Sequence, residues 1–343
     1  MTLVLDRVRP FYETGKRSRD LAQERGISEA ELLAGHHGPE VVRLLAPMAE
    51  LINALPSLGE VMSLTRNEAA VHEKVGTFDK ITLTGRTGLV LNDAIDLRLF
   101  LDHWRMAFAL EIPDEKGPRR SIQVFDGHGE AVIKIHLKPA SDVSAFERIR
   151  DRFRDPAPGL LLVSRPEPGR GAPDSVDAVG FRSAFEEMRD IHEFFPLIHK
   201  LGLSRRASLA LLDERYVESV SEGAAQALLE RAAESALPIM CFVGNRGCIQ
   251  IHHGPVSTIK VMGPWVNVLD PEFNLHLRQD LVREAFLVRK PTRHGLITSI
   301  ELYADDGELI VQFFGVRDEN GPEDEKWRKL AGSLAHVRPG QLS

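Results

Sequence analysis

Apolar and polar residues alternate along much of the chain, which is the pattern of half-buried β-strands. Residues 132–136 are typical, and turns such as residues 126–129 separate such runs. Helix signals come before the strands, because residues 17–25 have helical character and Ser28 with Glu31 forms a capping box. Helices followed by hairpin-linked strands indicate an α+β fold with antiparallel sheets. The predicted strands cover residues 71–74, 80–84, 88–91, 95–99, 121–125 and 131–137.

This pattern occurs twice. Residues 61–137 align with residues 239–315 at a constant offset of 178 without a gap, and 19 of the 77 aligned pairs are identical. A repeat of this length predicts a tandem structural duplication into two halves rather than a solenoid. The predicted organisation is an N-terminal half over residues 1–155, a Pro/Gly-rich connector over 156–175 and a C-terminal half over 176–343. Function is then expected where the two copies differ.

Composition narrows the function classes. The net charge of -7 argues against nonspecific nucleic-acid binding, and Glu24, Glu29 and Glu31 disfavour a DNA-binding role for the first helices. Cys241 and Cys248 match neither a disulfide framework nor a zinc-site spacing. No apolar run reaches the roughly 18 residues of a membrane span, so we expect a cytoplasmic protein without membrane insertion.

A histidine marks one difference between the copies. The spacing predicts a helix over residues 181–201, with Phe185, Met188, His192 and Phe195 on its buried stripe. Spacing alone favours a hydrogen-bonded core histidine. A neutral imidazole in apolar surroundings is also what binding of a heme iron requires.

The surroundings of His192 are also specific to one copy. At the looser offset of 176 that aligns the upstream helices, Lys16 takes its place. Pro196 lies four residues after His192 and predicts that the helix bends or ends there. Such a break either aims the imidazole into a cleft or marks an ordinary helix end.

Several segments together resemble one known family. They are residues 189–195 (RDIHEFF), 242–251 (FVGNRGCIQI), 95–100 (IDLRLF), 103–104 (HW), 64–68 (LTRNE) and 70–74 (AVHEK). These segments are similar to the bacterial hemin-degrading factor family of cytoplasmic heme-utilisation proteins (HemS/ChuS/HmuS type). The resemblance runs from about residue 17 to residue 330 and includes the internal duplication.

The resemblance implies roles for individual residues. His192 matches the family's axial ligand of the heme iron. Arg98, whose repeat mate is His276, matches a distal-side arginine and is the catalytic candidate, although its plain alternative is a solvated strand residue. Arg205 and Lys290 match the cations that bind the heme propionates near the mouth of the pocket.

Other matches are weaker or depart from the family. Phe242, Gln312 and Phe314 match positions that line the pocket, and Phe314 is a departure because some members have tyrosine there. His72 matches a family position and is a secondary candidate for heme contact. Gln250 replaces His72 in the other copy, and a structural role for His72 is favoured.

The resemblance implies a heme-binding protein of iron utilisation, with heme b as ligand and possible substrate in a cleft between the halves. The leading hypothesis is oxidative heme degradation with external electrons, and the alternative is a carrier that delivers heme to a separate oxygenase. Implied partners are heme, an electron donor and a heme-uptake transporter, with a monomer or homodimer as the assembly. A heme-independent regulatory module, based on the helices of residues 17–35, is a third hypothesis.

Overall fold

The computed structural model describes residues 10–165, 177–317 and 321–335, which form two compact units. The first unit contains the described residues before 67, the rest of the first half from Glu73 onward, and Asn245–Ile249. The second contains Asn67–His72 and the other described residues after 176. Each unit thus includes a short segment from the other half of the sequence. The predicted division at residues 155 and 176 did not contain this exchange of segments. Residues 166–176 of the predicted connector, and the tail after Ala335, lie outside the described residues.

The first half contains four helices and nine strands within residues 10–165. They are α1 (Ser18–Glu24), α2 (Glu29–Gly35), β1 (Val41–Leu44), α3 (Met48–Ala54), β2 (Glu60–Arg66), β3 (Ala70–Thr77), β4 (Ile81–Thr84), β5 (Thr87–Leu91), β6 (Asp96–Phe100), β7 (Met106–Ile112), β8 (Arg119–Phe125), β9 (Ala131–Leu137) and α4 (Val143–Phe153). The predicted capping box at the start of α2 is confirmed, because the Ser28 side chain accepts from Glu31 N–H and Glu31 accepts from Ser28 N–H.

The second half repeats the strands and, among the described residues, has three α-helices before its first strand, where the first half has two. Its elements are α5 (Ala178–Glu186), α6 (Phe194–Lys200), α7 (Arg205–Leu209), β10 (Val217–Val220), α8 (Ala224–Glu234), β11 (Ile239–Gly244), β12 (Cys248–Gly254), β13 (Ile259–Met262), β14 (Trp265–Leu269), β15 (Phe273–Arg278), β16 (Glu284–Thr292), β17 (Gly295–Tyr303), β18 (Leu309–Gly315) and α9 (Glu325–Leu334).

Both units have the same antiparallel strand order. The first contains β1-β7-β8-β9-β2 and the second contains β10-β16-β17-β18-β11. The limits of β9 and β18 differ by the offset of 178 found in the sequence. The predicted α+β class and tandem duplication are therefore confirmed. The sequence pattern did not predict β7. Most of its side chains are buried on both faces of the strand, so apolar and polar residues do not alternate along it.

Each unit buries an apolar core between its sheet and its helices. In the first, Ile52 of α3 and Phe146 of α4 pack with sheet residues such as Ile133. In the second, Trp327 of α9 is fully buried, and its indole N–H donates to the carbonyl oxygen of Thr298 at 3.0 Å. None of the helices in the described ranges is long and apolar enough to cross a bilayer.

Candidate functional site

The segment that carries His192 is not the single helix that the sequence predicts. α5 ends at Glu186, a short 3-10 turn covers Ile191–Glu193, and α6 begins at Phe194. The break occurs because the Asp190 side chain accepts a hydrogen bond from the His192 backbone N–H at 2.8 Å and so starts a new turn. An aspartate that bonds to nearby backbone N–H groups competes with continuation of a helix.

Pro196 does not end a helix, which corrects the sequence prediction. It is the third residue of α6, in the first turn, where a backbone N–H would have no partner within the helix. The ring therefore costs α6 no hydrogen bond there. Pro196 belongs to the start of α6, and the chain has already turned before it.

His192 lies at the surface of the second unit. Its side chain is 76% exposed, so the interpretation as a core histidine is wrong. The expected stripe fails at Phe195 too, which is exposed, whereas Phe194 is buried. The imidazole Nδ1 lies 2.6 Å from Oδ1 of Asp190, which is its one hydrogen bond to the described residues and leaves Nε2 for a metal.

Behind this turn, one face of the second sheet carries a group of polar side chains that we call the Glu301 cluster. Side chains alternate between the two faces of a strand, and residues paired across strands share a face. Glu301 lies opposite Gln312, and Gln312 lies opposite Phe242. The cluster consists of Arg205, Lys290, Ser299, Glu301, Tyr303 and Gln312.

The Glu301 carboxylate is completely buried and binds two cations. Arg205 donates to both of its oxygens, with Nε to Oε2 at 2.9 Å and Nη2 to Oε1 at 2.8 Å. Lys290 Nζ donates to Oε1 at 2.7 Å, and its side chain is only 3% exposed. Ser204 positions Arg205, because its hydroxyl caps α7 by accepting from Ala207 N–H at 3.1 Å. The predicted propionate partners thus share a buried carboxylate, and Lys290 does not lie at a pocket mouth.

The three charged groups shift the pKa values of one another. Burial favours the neutral form of Glu301, but Arg205 and Lys290 outweigh it and hold the pKa of Glu301 well below its usual value. Burial disfavours the ammonium form of Lys290 and lowers its pKa to about 8, although Glu301 opposes this shift. Burial also acts against charged Arg205, yet Glu301 prevails and raises the pKa of Arg205. At neutral pH the cluster therefore has two cations and one carboxylate, an excess that suits an anionic ligand.

Aromatic rings connect the cluster to the His192 turn. The Phe194 ring begins α6 two residues after His192, and it lies 5.3 Å from the Arg205 guanidinium and 5.2 Å from Lys290 Nζ. Phe242 and Phe314 pack edge to face with ring centroids 5.1 Å apart. The turn itself contacts β16, the strand of Lys290. Six sequence-predicted residues therefore lie in the turn, in α7 or in the strands β11, β16 and β18 of the second unit: His192, Arg205, Phe242, Lys290, Gln312 and Phe314.

The other two candidates have different surroundings. Arg98 lies on β6 of the first unit, where its side chain is 36% exposed and forms an ion pair with Asp96. His72 is fully buried in the second unit, where Gln250 Nε2 lies 2.8 Å from its Nδ1 and the Phe273 ring centroid lies 4.9 Å away. Its repeat mate is thus its hydrogen-bond partner. This burial favours the structural role over heme contact.

The first unit has a corresponding cluster of reversed polarity. Ser28 caps α2 as Ser204 caps α7, and Glu29 occupies the first helical position that Arg205 occupies in the other copy. Glu29 accepts a hydrogen bond from Lys134 Nζ at 2.5 Å. This pair has no net charge, so the position corresponding to the cationic cluster lacks its excess of positive charge.

Two residues beside the Glu29–Lys134 pair are also uncharged at pH 7. Gln123 replaces Glu301 in the alignment and donates to Ser121 Oγ at 3.0 Å. His136 replaces Phe314, and burial, followed by nearby Lys134, lowers the pKa of His136 to about 4, so the imidazole is neutral at pH 7. At this position of the sheet, the two repeats therefore differ in charge on a shared set of strands.

Sequence reasoning missed Glu301. Its signal was the alternation Ser-Ile-Glu-Leu-Tyr over residues 299–303, which places three polar side chains on one face of β17. The cations alone look like surface charges, and only their shared carboxylate explains why Lys290 tolerates burial.

The donor set fits a heme better than a bare metal ion. Within the described residues, no group of three or more His, Cys, Asp or Glu side chains could hold a metal ion. A porphyrin supplies four nitrogen donors itself and needs from the protein an axial imidazole, apolar contacts and cations for its propionates. His192, the rings of Phe242 and Phe314, and the cations of the Glu301 cluster are groups of these kinds.

Comparisons with known proteins agree with this fit. A domain described as the haemin-degrading HemS.ChuX domain matches residues 26–153 and 202–334. The hemin transport protein HmuS of Yersinia pestis is 39% identical over 322 residues, which cover 93% of each chain. The structure of holo-PhuS, a heme-binding protein from Pseudomonas aeruginosa, superposes with a TM-score of 0.90 at 44% identity over 94% of each chain.

A third relative is described as an enzyme. ChuS, an E. coli heme oxygenase, superposes with a TM-score of 0.86 at 37% identity, over 94% of this chain and 98% of its own. The family domain matches both repeats, and all three relatives align over more than nine-tenths of the chain. The resemblance noted in the sequence is thus confirmed, and this protein belongs to the haemin-degrading HemS/ChuX family.

Proposed function

We propose that this protein binds heme b through His192 and degrades it oxidatively, with electrons from a separate donor. The observation that carries the proposal is the arrangement in the second unit, where an exposed imidazole precedes a buried ring flanked by Arg205 and Lys290. The relative described as a heme oxygenase supports the enzymatic reading. Heme, as the substrate, supplies both the redox-active iron and the porphyrin that is oxidised.

The protein's own residues have three tasks in this proposal. His192 donates its Nε2 lone pair, Arg205 and the buried charge of Lys290 attract the anionic propionates, and Phe242 and Phe314 exclude water from the porphyrin. Gln312 adds a polar contact from the same face. Arg98 is proposed as the catalytic residue, because a guanidinium keeps its charge at any physiological pH and offers several N–H donors.

A heme carrier is the second candidate function. The relatives named as a hemin transport protein and a heme-binding protein favour it. Binding requires the same imidazole and cations in both cases, so only turnover separates the two functions. A cytoplasmic location, a heme-uptake transporter as partner and a monomeric or homodimeric assembly also remain predictions.

We expect the heme-loaded protein, supplied with an electron donor in air and with catalase present, to lose its Soret band and release carbon monoxide. Arg98→Ala should still bind heme but turn it over at least about tenfold more slowly, because it lacks the charged donor. Arg86→Ala is the matched control, since Arg86 is also an ion-paired arginine beside β5, at 82% side-chain exposure. A stable Soret band without carbon monoxide in the wild type would favour the carrier, and equal rates in Arg98→Ala would remove the catalytic assignment.

We also expect ferric heme affinity to fall as the pH rises above about 8. The Lys290 pKa is lowered to about 8 by burial, so the ammonium form that attracts a propionate is lost above this pH. Binding favours the protonated lysine, and the affinity should therefore decrease by up to about tenfold per pH unit. Heme titrations between pH 6.5 and 9.5 measure this slope. Lys290→Met should lack this component, and identical slopes in the two proteins would contradict the role of Lys290.

A further inference from the structure

Asp190 holds His192 by two hydrogen bonds to one carboxylate oxygen, one from the backbone and one from the imidazole. Its Oδ1 accepts from the His192 backbone N–H at 2.8 Å and lies 2.6 Å from the imidazole Nδ1. The backbone bond fixes where residue 192 begins the turn, and the ring bond fixes how the imidazole is rotated. Both bonds come from a residue only two positions away, so they do not depend on distant packing.

The carboxylate also decides which ring nitrogen carries the proton. An ionised carboxylate only accepts hydrogen bonds, so the Nδ1 facing it must be the N–H nitrogen of a neutral imidazole. The lone pair is then on Nε2, on the far edge of a ring that is 76% exposed. A ring without this partner would distribute its proton over both nitrogens and rotate freely.

We infer that Asp190 is a positioning residue that presents His192 Nε2 to the heme iron and strengthens it as a ligand of the ferric state. This inference rests on the proposed function, in which His192 is the axial ligand. A carboxylate that accepts from the far nitrogen of a ligating histidine increases the electron donation of that ligand. Greater donation stabilises the more positive ferric iron over the ferrous iron and so lowers the reduction potential.

Two variants separate the charge of Asp190 from its role as a cap. Asp190→Asn keeps an oxygen acceptor for both hydrogen bonds but removes the charge, whereas Asp190→Ala removes both functions. Glu193→Gln is the matched control, because Glu193 is the next carboxylate along the chain, is exposed, and approaches the Arg189 backbone N–H at 3.4 Å instead of the imidazole. It removes the same charge near His192 without touching the ring bond.

In the heme-loaded full-length protein, we expect Asp190→Asn to weaken ferric heme binding by about tenfold relative to ferrous binding. A selective tenfold loss corresponds to a rise of about 59 mV in the one-electron midpoint potential. Asp190→Ala should lose about 10- to 100-fold in ferric affinity, while Glu193→Gln should keep the wild-type potential. Spectroelectrochemical titration measures the potential, and heme titration measures the affinity.

A measurement without heme tests the same inference independently. Nitrogen-15 NMR of the apoprotein at alkaline pH should show the Nδ1–H tautomer of His192 in the wild type and a mixture of tautomers in Asp190→Ala. Wild-type potential and affinity in Asp190→Asn, or equal shifts in Asp190→Asn and Glu193→Gln, would overturn the inference about Asp190. If His192→Ala has an unchanged heme spectrum, the axial assignment fails instead, and the tautomer result still decides whether Asp190 orients the ring.

Discussion

His192→Ala is expected to lose the Soret spectrum of the heme-bound protein and more than about a hundredfold in ferric heme affinity. Loss of a residue that merely supports a metal ligand costs 10- to 100-fold, so loss of the ligand itself should cost more. The variant should fold normally, because the ring is 76% exposed and bonds only to Asp190 among the described residues. Absorbance titration with hemin and circular dichroism check both expectations.

His199→Ala is the control for this variant. His199 is also exposed and lies on α6 near the Phe195 ring, with ring centroids 6.5 Å apart. Its replacement should leave the spectrum and the affinity close to those of the wild type. A normal spectrum in His192→Ala, or a larger loss in His199→Ala, would show that His192 is not the axial ligand.

Glu301→Gln is expected to lower the free energy of unfolding by about 3–5 kcal/mol at pH 7. Removal of one partner from a buried ion pair leaves an uncompensated charge in a medium that solvates it poorly. Here the uncompensated groups are Lys290, at 3% exposure, and the partly buried Arg205. Urea unfolding measures the loss, and Glu308→Gln, at an exposed position before β18, should change stability by less than about 0.5 kcal/mol.

The stability loss should depend on pH in a defined direction. The pKa of Lys290 in the folded protein lies below its unfolded value, so the unfolded chain binds more protons between these values and stability rises with pH there. Without Glu301 the lysine deprotonates more easily, and the deficit of Glu301→Gln should therefore be smaller at pH 9 than at pH 7. Adding Lys290→Met to the variant should restore part of the stability. A loss below about 1 kcal/mol, with no such recovery, would contradict the assigned role of Glu301.

Reversed polarity between the repeats bears on how many hemes the chain takes up. The Arg205 position is held by Glu29 in the first unit, and Gln123 replaces Glu301. Glu29 is neutralised there by Lys134 and offers a propionate no net positive charge, whereas the second unit has a cationic excess. The same hemin titrations should thus reach their end point at one heme per chain.

Much of the fold could be predicted from the amino-acid sequence. Alternation of apolar and polar residues predicts the strands that have one solvent-exposed face, and the ungapped offset predicts the duplication. Both signals can be read directly from the order of residues in the chain. The capping box at Ser28 was predictable for the same reason, since its partners lie three residues apart. The family resemblance added His192, Arg205 and Lys290 as candidates but not their surroundings.

Only the folded structure shows how those candidates are arranged. Helical periodicity placed His192 on a buried stripe, but the Asp190 side chain outcompeted helix continuation and turned the ring toward solvent. Whether a lysine is a surface charge or part of a buried ion cluster depends on what lies across the sheet. Lys290 and Glu301 are 11 positions apart, and Arg205 and Glu301 are 96 positions apart. The sequence by itself determined which side chains this protein has and that its strands are repeated. Long-range pairing of the strands determined which charges share one site. Contacts between residues far apart in the chain produce no periodic pattern in the sequence, so only the tertiary structure reveals them.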